Sequence, residues 1–337
     1  MSELNWSDAQ WQKVRDCVTE AFAKASIASA FIPCYGPLPG SAETVRNERI
    51  IQSTSNPRTV KLDADYDGVN LKLVNVTVNV VLSSEQVAEE ALSNAMLAFR
   101  RAANVLAQEE DRIVFEGFGR GPRGADSVFV VNSPRPQRGL ADLPARLTFP
   151  DLTLKKRVTV GQAVVSAVVD AVQRLENNSN PSPFACVLGN ELFNRVHDPS
   201  RSLVLPSDRI TPLLKGGPLL RSGQMDSDTG IVVSLAGNAV DIVVGTPPTV
   251  QFLQRTHDAK FLFRVYERFV LRIRDAVQPP VAGFKIAPTL DRLVELRRIL
   301  ETLAQKAAEE PDGKLALAEG QRELAEVQLR LHQLKKP

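Results

Sequence analysis

EEDRIVFEGFGRGPRGADSVFVVNSP, residues 109–134, contains the stretch of this sequence that matches a cofactor motif, and also the context that argues against it. GRGPRG (119–124) has the G-x-G-x-x-G spacing of a dinucleotide-binding turn, and RIVFEGF before it reads as a strand. Such a turn must lead straight into a helix whose N-terminus holds the pyrophosphate. Here the glycines follow a long helical pattern and a short strand, include Pro122, and run into ADSVFVVNSP, which has no helical period. They read as permissive turn residues. A nucleotide-binding enzyme is therefore the least favoured function.

The bulk composition narrows the field further. The chain has 337 residues, enough for two or three packed regions. It is 43% hydrophobic and 24% charged with a net charge of +2, so no basic excess points to nucleic acid. The longest apolar stretch, AVVSAVVDAV (163–172), is too short to span a bilayer and contains Asp170. No secretory leader pattern opens the chain. Cys17, Cys34 and Cys186 form neither a disulfide framework nor a metal pair, which fits a reduced cytoplasmic protein. His197, His257 and His332 stand in no metal-ligand spacing, and no nucleophile elbow or Walker lysine loop is present. No catalytic residue, metal or cofactor is expected, and neither nucleic acid nor membrane as a partner.

Working outward, the chain opens with an amphipathic helix. Ser7 and Gln10 have capping-box spacing, Trp6 and Trp11 occupy the staple positions, and Trp11, Val14, Val18 and Phe22 recur at helical spacing. IPCYGPLPG (32–40) stops it. Strands are expected from Glu43 to Leu82, where LVNVTVNVV (73–81) alternates valines with polar residues. This long excursion has too few core residues to be stable alone and should pack on another subunit. Ser83 and Gln86 begin a second long helix, expected to run to about Gln108 with Leu92, Met96, Phe99, Ala103 and Leu106 as its apolar stripe. The acidic cluster Glu109, Glu110 and Asp111 follows.

Thr159 and Gln162 cap a third helix that is apolar nearly all round and hence buried. PFACVLG then reads as a core strand, NELFNRVHD (190–198) as a helix, and IVVSLAG and AVDIVVG as sequential strands of one sheet. FLFRVYERFVLRIRD (261–275) is a long alternating strand. Phe263, Val265, Phe269, Leu271 and Ile273 lie on one face and Arg264, Arg268, Arg272 and Arg274 on the other, with Glu267 interrupting the apolar face. After about Ala287, Leu293, Leu296, Leu300, Leu303 and Ala307, and then Leu317, Leu324, Val327, Leu331 and Leu334, keep heptad order around an EEPDGK break. This predicts a C-terminal helical hairpin held by mutual packing or oligomerisation.

The order of these pieces resembles the encapsulins, the linocin-type shell proteins of bacterial nanocompartments. The resemblance is carried by DAQWQKV leading into FIPCYGPLPG, by EEDRIVFEGFGRGPRG, and then by PFACVLGNELFNRV, GGPLLRSG, GIVVSLAGNAVDIVVG and FLFRVYERFVLRIRDAVQPPV, collinear over residues 5–283. It implies an α+β, Hong Kong 97-like major capsid protein fold. The implied boundaries are an N-terminal helix and arm (1–42), an E-loop (43–82), a peripheral domain (83–146 and 223–285) and an axial domain (147–222). The heptad extension (286–337) lies outside the family pattern and, since family C-termini face outward, would decorate the exterior or link subunits.

The implied function is a shell protein that self-assembles into an icosahedral nanocompartment in the cytoplasm and encloses cargo enzymes. The partners are further copies of itself and a cargo protein bearing a C-terminal targeting peptide. Val18, Phe22, Ile27, Phe31 and Ile242 would offer the apolar groove for that peptide. The pore loop implied at HDPSRS (197–202) supplies His197, Asp198, Ser200 and Arg201. Some relatives bind a flavin through an aromatic residue just before the spine helix; Leu82 stands there, so no flavin is expected. The alternative within the fold is a phage or prophage major capsid protein, which an apparent lack of an N-terminal scaffolding segment disfavours.

Overall fold

Two five-stranded sheets organise the chain, each covered by its own helices. In a computed structural model, the described residues are 4–47, 49–56, 59–65, 70–118, 128–131, 137–142, 147–149, 159–199, 204–274 and 279–286. GRGPRG, the heptad tail, Ser200 and Arg201 lie outside them.

The first sheet has the strand order Cys34–Tyr35, Val240–Arg255, Phe261–Ile273, Val74–Leu82, Val128–Val131. Its centre is the long strand Phe261–Ile273, antiparallel to both neighbours. Alternation puts Phe261, Phe263, Val265, Phe269 and Leu271 on one buried face. Against that face lie α1 (Asp8–Ala25) and, beyond α2 (Ser84–Ala88), α3 (Ser93–Glu116). Ser7 and Gln10 make the predicted capping box at α1. Trp6 stacks on Phe263 at 5.1 Å, meets Trp11 edge-on at 5.1 Å, and donates its indole N–H to the Val87 carbonyl at 3.0 Å. The N-terminal helix is thereby fixed at its first turn.

The second sheet has the order Leu147–Phe149, Val281–Ile286, Thr229–Ser234, Phe184–Gly189, Leu219–Ser222. It packs on α4 (Val160–Asn177), α5 (Asn190–Val196) and α6 (Pro206–Ile210), with Phe184, Leu188, Leu192, Val232 and Phe284 in the shared core. The Thr159–Gln162 capping box forms as expected. Between Cys34–Tyr35 and Val74–Leu82 of the first sheet, Arg49–Asn56 and Thr59–Asp65 form a separate antiparallel ribbon.

Three sequence expectations are corrected. The helix expected over 83–108 is two helices. Leu92 takes the left-handed conformation (φ 55°, ψ 27°) between them, and Glu89 accepts the Asn94 N–H at 3.3 Å. The run RIVFE is the last part of α3 and no strand; the helix stops at Gly117, whose φ of +90° suits glycine. IVVSLAG and AVDIVVG belong to different sheets, because the turn Ala236–Asn238, with Gly237 at φ +75°, redirects the chain. Thr229–Ser234 and Val281–Ile286 pair antiparallel within the second sheet.

Phe263 is fully buried and in ring contact with Trp6, Trp11, Phe99 and Phe252. Phe263→Ala should lower the unfolding free energy by about 3–5 kcal/mol in denaturant titrations, and Phe263→Leu by less. Equal losses from the two would show that the aromatic contacts contribute little.

Candidate docking groove and its buried carboxylates

The residues expected to form a groove gather where α1 ends and the chain turns into its arm. After Ala25 the chain leaves the helix at Ser26, makes a short 3-10 turn at Ala28–Ala30, and reaches Phe31. Phe31 stacks on Phe115 of α3 with the ring centres 6.4 Å apart. The arm then runs along the edge of the first sheet. Cys34 and Tyr35 pair in parallel with Ile242 and Val243, and the Leu38 N–H donates to the Val244 carbonyl at 2.9 Å. Gly36 is required here. Its φ is +129°, and a Cβ would stand 2.3 Å from the Val244 oxygen.

All five expected groove residues meet in one apolar cluster, but they differ in exposure. Val18, Phe22 and Ile242 are buried within the monomer, whereas Ile27 and Phe31 are half-buried and keep open surface. Helical periodicity identified the apolar side chains, and whether each remains exposed is set by the long-range packing of α1 on the sheet.

The turn is held from below by acidic side chains of the 109–111 cluster, which lie inside α3. Asp111 accepts the Ile27 and Ala28 N–H groups at 3.0 and 2.8 Å and the Ser26 hydroxyl at 3.3 Å. Glu110 accepts the hydroxyls of Ser26 at 2.9 Å and Ser29 at 2.8 Å. Glu267, from the middle of Phe261–Ile273, brings its carboxyl beside that of Glu110. Glu110, Asp111 and Glu267 are only 3%, 1% and 2% exposed. Burial raises Glu110 to about 7 against its hydrogen bonds from the two serines, and raises Asp111 to about 6 against those from Ala28 and Ile27. Burial, then the charge of Glu110, pushes Glu267 well above the carboxylate range. A signal was present in the sequence. Glu110 and Asp111 sit three or four residues from the apolar Leu106, Ala107, Ile113 and Val114, so they share the buried side of α3.

The row of arginines on the other face of Phe261–Ile273 is engaged within the protein. Arg268 donates to the carbonyls of Gly40 and Ala42 at 3.0 and 2.6 Å, fastening the base of the excursion. Arg264 donates to the Gln251 side chain at 2.7 Å. Arg272 forks onto the buried carboxylate of Asp241 at 2.8 and 2.5 Å and lies 4.9 Å from the Tyr35 ring centre, while Arg274 reaches Asp241 at 2.9 Å.

Of the expected pore residues, His197 and Asp198 are described, directly after α5, and both are exposed. The His197 Nδ1 lies 2.8 Å from the Phe193 carbonyl oxygen, and its ring is 4.3 Å from that of Phe193. Asp198 lines an open recess with Asn190, Glu191, Asn194, Arg195 and Ser227. Leu82, at the position considered for flavin, is buried. Among the described residues no cluster of histidine, cysteine or acidic side chains could hold a metal, and no helix is long and apolar enough to cross a membrane.

Comparison with known proteins adds to this geometry. The family Linocin_M18, described as "Encapsulating protein for peroxidase", matches residues 3–125 and 146–270. The type 1 encapsulin shell protein EncA of Myxococcus xanthus is 24% identical over 279 residues, covering 79% of this chain and 90% of that protein. Among solved structures, the virus-like particle from Pyrococcus furiosus superposes with a TM-score of 0.58 at 13% identity, covering 82% of this chain and 99% of that one. The capsid of Myoviridae phage XM1 gives 0.54 at 12% identity, with 78% and 92% covered.

Asp241→Asn would leave Arg272 buried against a neutral partner. Loss of a buried ion pair should cost about 3–5 kcal/mol in denaturant unfolding. Asp241→Ala combined with Arg272→Met should recover much of that loss if pairing is what the site requires.

Proposed function

We propose, for a chain that belongs to the Linocin_M18 family of encapsulin shell proteins and has the Hong Kong 97-like capsid fold, that copies of it assemble into a closed icosahedral shell around cargo enzymes. The observation that carries this reading is the family match on both sides of the chain, which takes in the N-terminal helix, α3, α4 and most of the strands of both sheets. The family forms oligomeric shells. A closed shell needs many copies of one interface repeated by symmetry, and a segment exchanged between neighbours enlarges that interface.

The ribbon Arg49–Asn56 and Thr59–Asp65 fits such an exchanged segment. It forms a sheet of its own, hydrogen-bonded to neither five-stranded sheet. Its base is anchored on the first sheet by Arg268. The boundaries 43–82 for this E-loop, 83–146 and 223–285 for the peripheral domain, and 147–222 for the axial domain belong to the same proposal.

We also propose cargo recruitment through a short targeting peptide, a reading supported by the exposed parts of Ile27 and Phe31 beside the buried Val18, Phe22 and Ile242. Small-molecule traffic would pass pores lined by the 197–202 loop, where repetition of His197 and Asp198 around an axis focuses charge. The chain acts as a scaffold, in the cytoplasm, and the chemistry belongs to the cargo.

Electron microscopy of the purified protein should show uniform hollow particles; a small monodisperse oligomer would overturn the shell. Particles filled with DNA would instead favour a phage-type capsid. Phe31→Asp, which places a charge on the open part of the groove, should leave hollow particles intact while reducing co-purified cargo at least tenfold. Undiminished cargo in Phe31→Asp particles would remove Phe31 from the docking site.

A further inference from the structure

We propose that Glu110, Asp111 and Glu267 form a proton-controlled latch that fastens the turn after α1, and with it the arm, to the first sheet, and that the latch loosens as pH rises. This goes beyond shell formation and does not depend on where cargo docks.

The geometry brings three chain segments to one point. Glu110 and Asp111 come from α3 and Glu267 from the central strand, while Ser26, Ile27, Ala28 and Ser29 come from the turn. The hydroxyls and amides of the turn all donate, and Glu110 and Asp111 are their acceptors. Glu267 is different. One of its oxygens, Oε1, is buried without a hydrogen-bond partner. The group beside it is another carboxyl, that of Glu110. Two carboxyls in direct contact need a proton between them. The unpartnered oxygen and the carboxyl–carboxyl contact identify the proton as the ligand of this site.

The charged surroundings do not replace that proton. The groups acting on the three carboxyls are one another, the donors of the turn, and Cys34 on the arm. Asp241, on the strand beside the arm, is neutralised by Arg272 and Arg274, and Glu109 pairs with Arg112. The Cys34 thiol, held protonated by desolvation and then by the charges of Glu110 and Asp241, adds no positive charge.

The direction follows from linkage. Glu110 and Asp111 are raised in the fold, to about 7 and about 6, from ordinary values of 4.5 and 3.8. The folded latch therefore binds more protons than the opened one, and stability falls as pH rises. Its full contribution is present below about pH 4, and these two groups lose theirs progressively up to about pH 7. Ionisation of Glu267 extends the loss to still higher pH. This is opposite to the behaviour of an ion-paired carboxylate, which stabilises on deprotonation.

The test is hydrogen–deuterium exchange of the full-length protein at pH 5 and pH 8, corrected for the intrinsic pH dependence of exchange. Peptides covering residues 24–33 should lose protection by at least about tenfold at pH 8, the factor for one unit of net pKa elevation. Peptides from α4 serve as the internal reference and should not change. In Glu267→Gln, which removes one ionisable group but keeps a donor toward Glu110, the loss should be at least about threefold smaller than in the wild type, the remainder coming from Glu110 and Asp111. Should Glu267→Gln fail to fold, the wild-type series and Glu110→Gln carry the test, with the same reduction expected. Protection of 24–33 that is equal at the two pH values, or that falls in parallel with α4, overturns the latch. So does an undiminished loss in a folded variant.

Discussion

Burial of one face of the strand Phe261–Ile273 is the constraint on which the rest of the molecule depends. Phe263, near the start of the strand, is surrounded by Trp6, Trp11, Phe99 and Phe252. That contact sets the position of both α1 and α3, because an alternating strand presents its apolar side chains to a single layer. With the helices occupying this face, the opposite face is left to the chain that emerges from α1. The arm therefore runs along Val240–Arg255, and Arg268, on the second face, donates to the carbonyls of Gly40 and Ala42. The place where the excursion leaves the body is thus a consequence of which face the aromatic residues occupy. A small cluster of Leu38, Val45, Leu71, Leu73, Val243 and Val270 closes the same junction from the side opposite the helices.

The parts of this arrangement that were legible in the sequence are those governed by neighbours a few residues away. The capping boxes at Ser7, Ser83 and Thr159 form as spacing predicts, and the alternation of 261–273 gives the correct buried face. What escaped was governed at long range. The 83–108 segment has good helix formers throughout, and only the packing of Leu92 into the core explains a left-handed residue there. Similarly, 229–234 and 240–255 look like successive strands of one sheet. Their separation depends on Phe184–Gly189 and Val281–Ile286, which lie tens of residues away in the sequence. At the candidate groove, apolar identity was readable at Val18, Phe22, Ile27, Phe31 and Ile242, but the division between floor and open surface was not.

The acidic run was the most misleading local signal. Three consecutive acidic residues usually mark a solvated helix face; here Glu109 is largely covered and pairs with Arg112. Glu110 and Asp111 turn inward because α1 ends above them in a turn with unsatisfied donors. A helix terminus leaves backbone groups that must find partners, and a buried terminus makes the requirement strict. Apolar residues at 110 and 111 would pack well on Leu106 and Val114. They would also orphan two N–H groups and two hydroxyls, each at a cost of about 1–3 kcal/mol.

That argument accounts for two of the three buried carboxyls and stops at the third. Glu267 accepts from no donor of the turn, interrupts an otherwise apolar face, and leaves one oxygen without a partner. A leucine or glutamine would fit the alternation of the strand without raising the charge of the cluster. Replacing buried ionisable groups by apolar ones of similar volume is commonly neutral or stabilising. Packing and hydrogen-bond satisfaction therefore both favour some other residue at this position. What a carboxyl contributes that they cannot is a group able to share a proton with Glu110 and to lose it, which makes the attachment of the arm depend on protonation while the aromatic core around Phe263 does not.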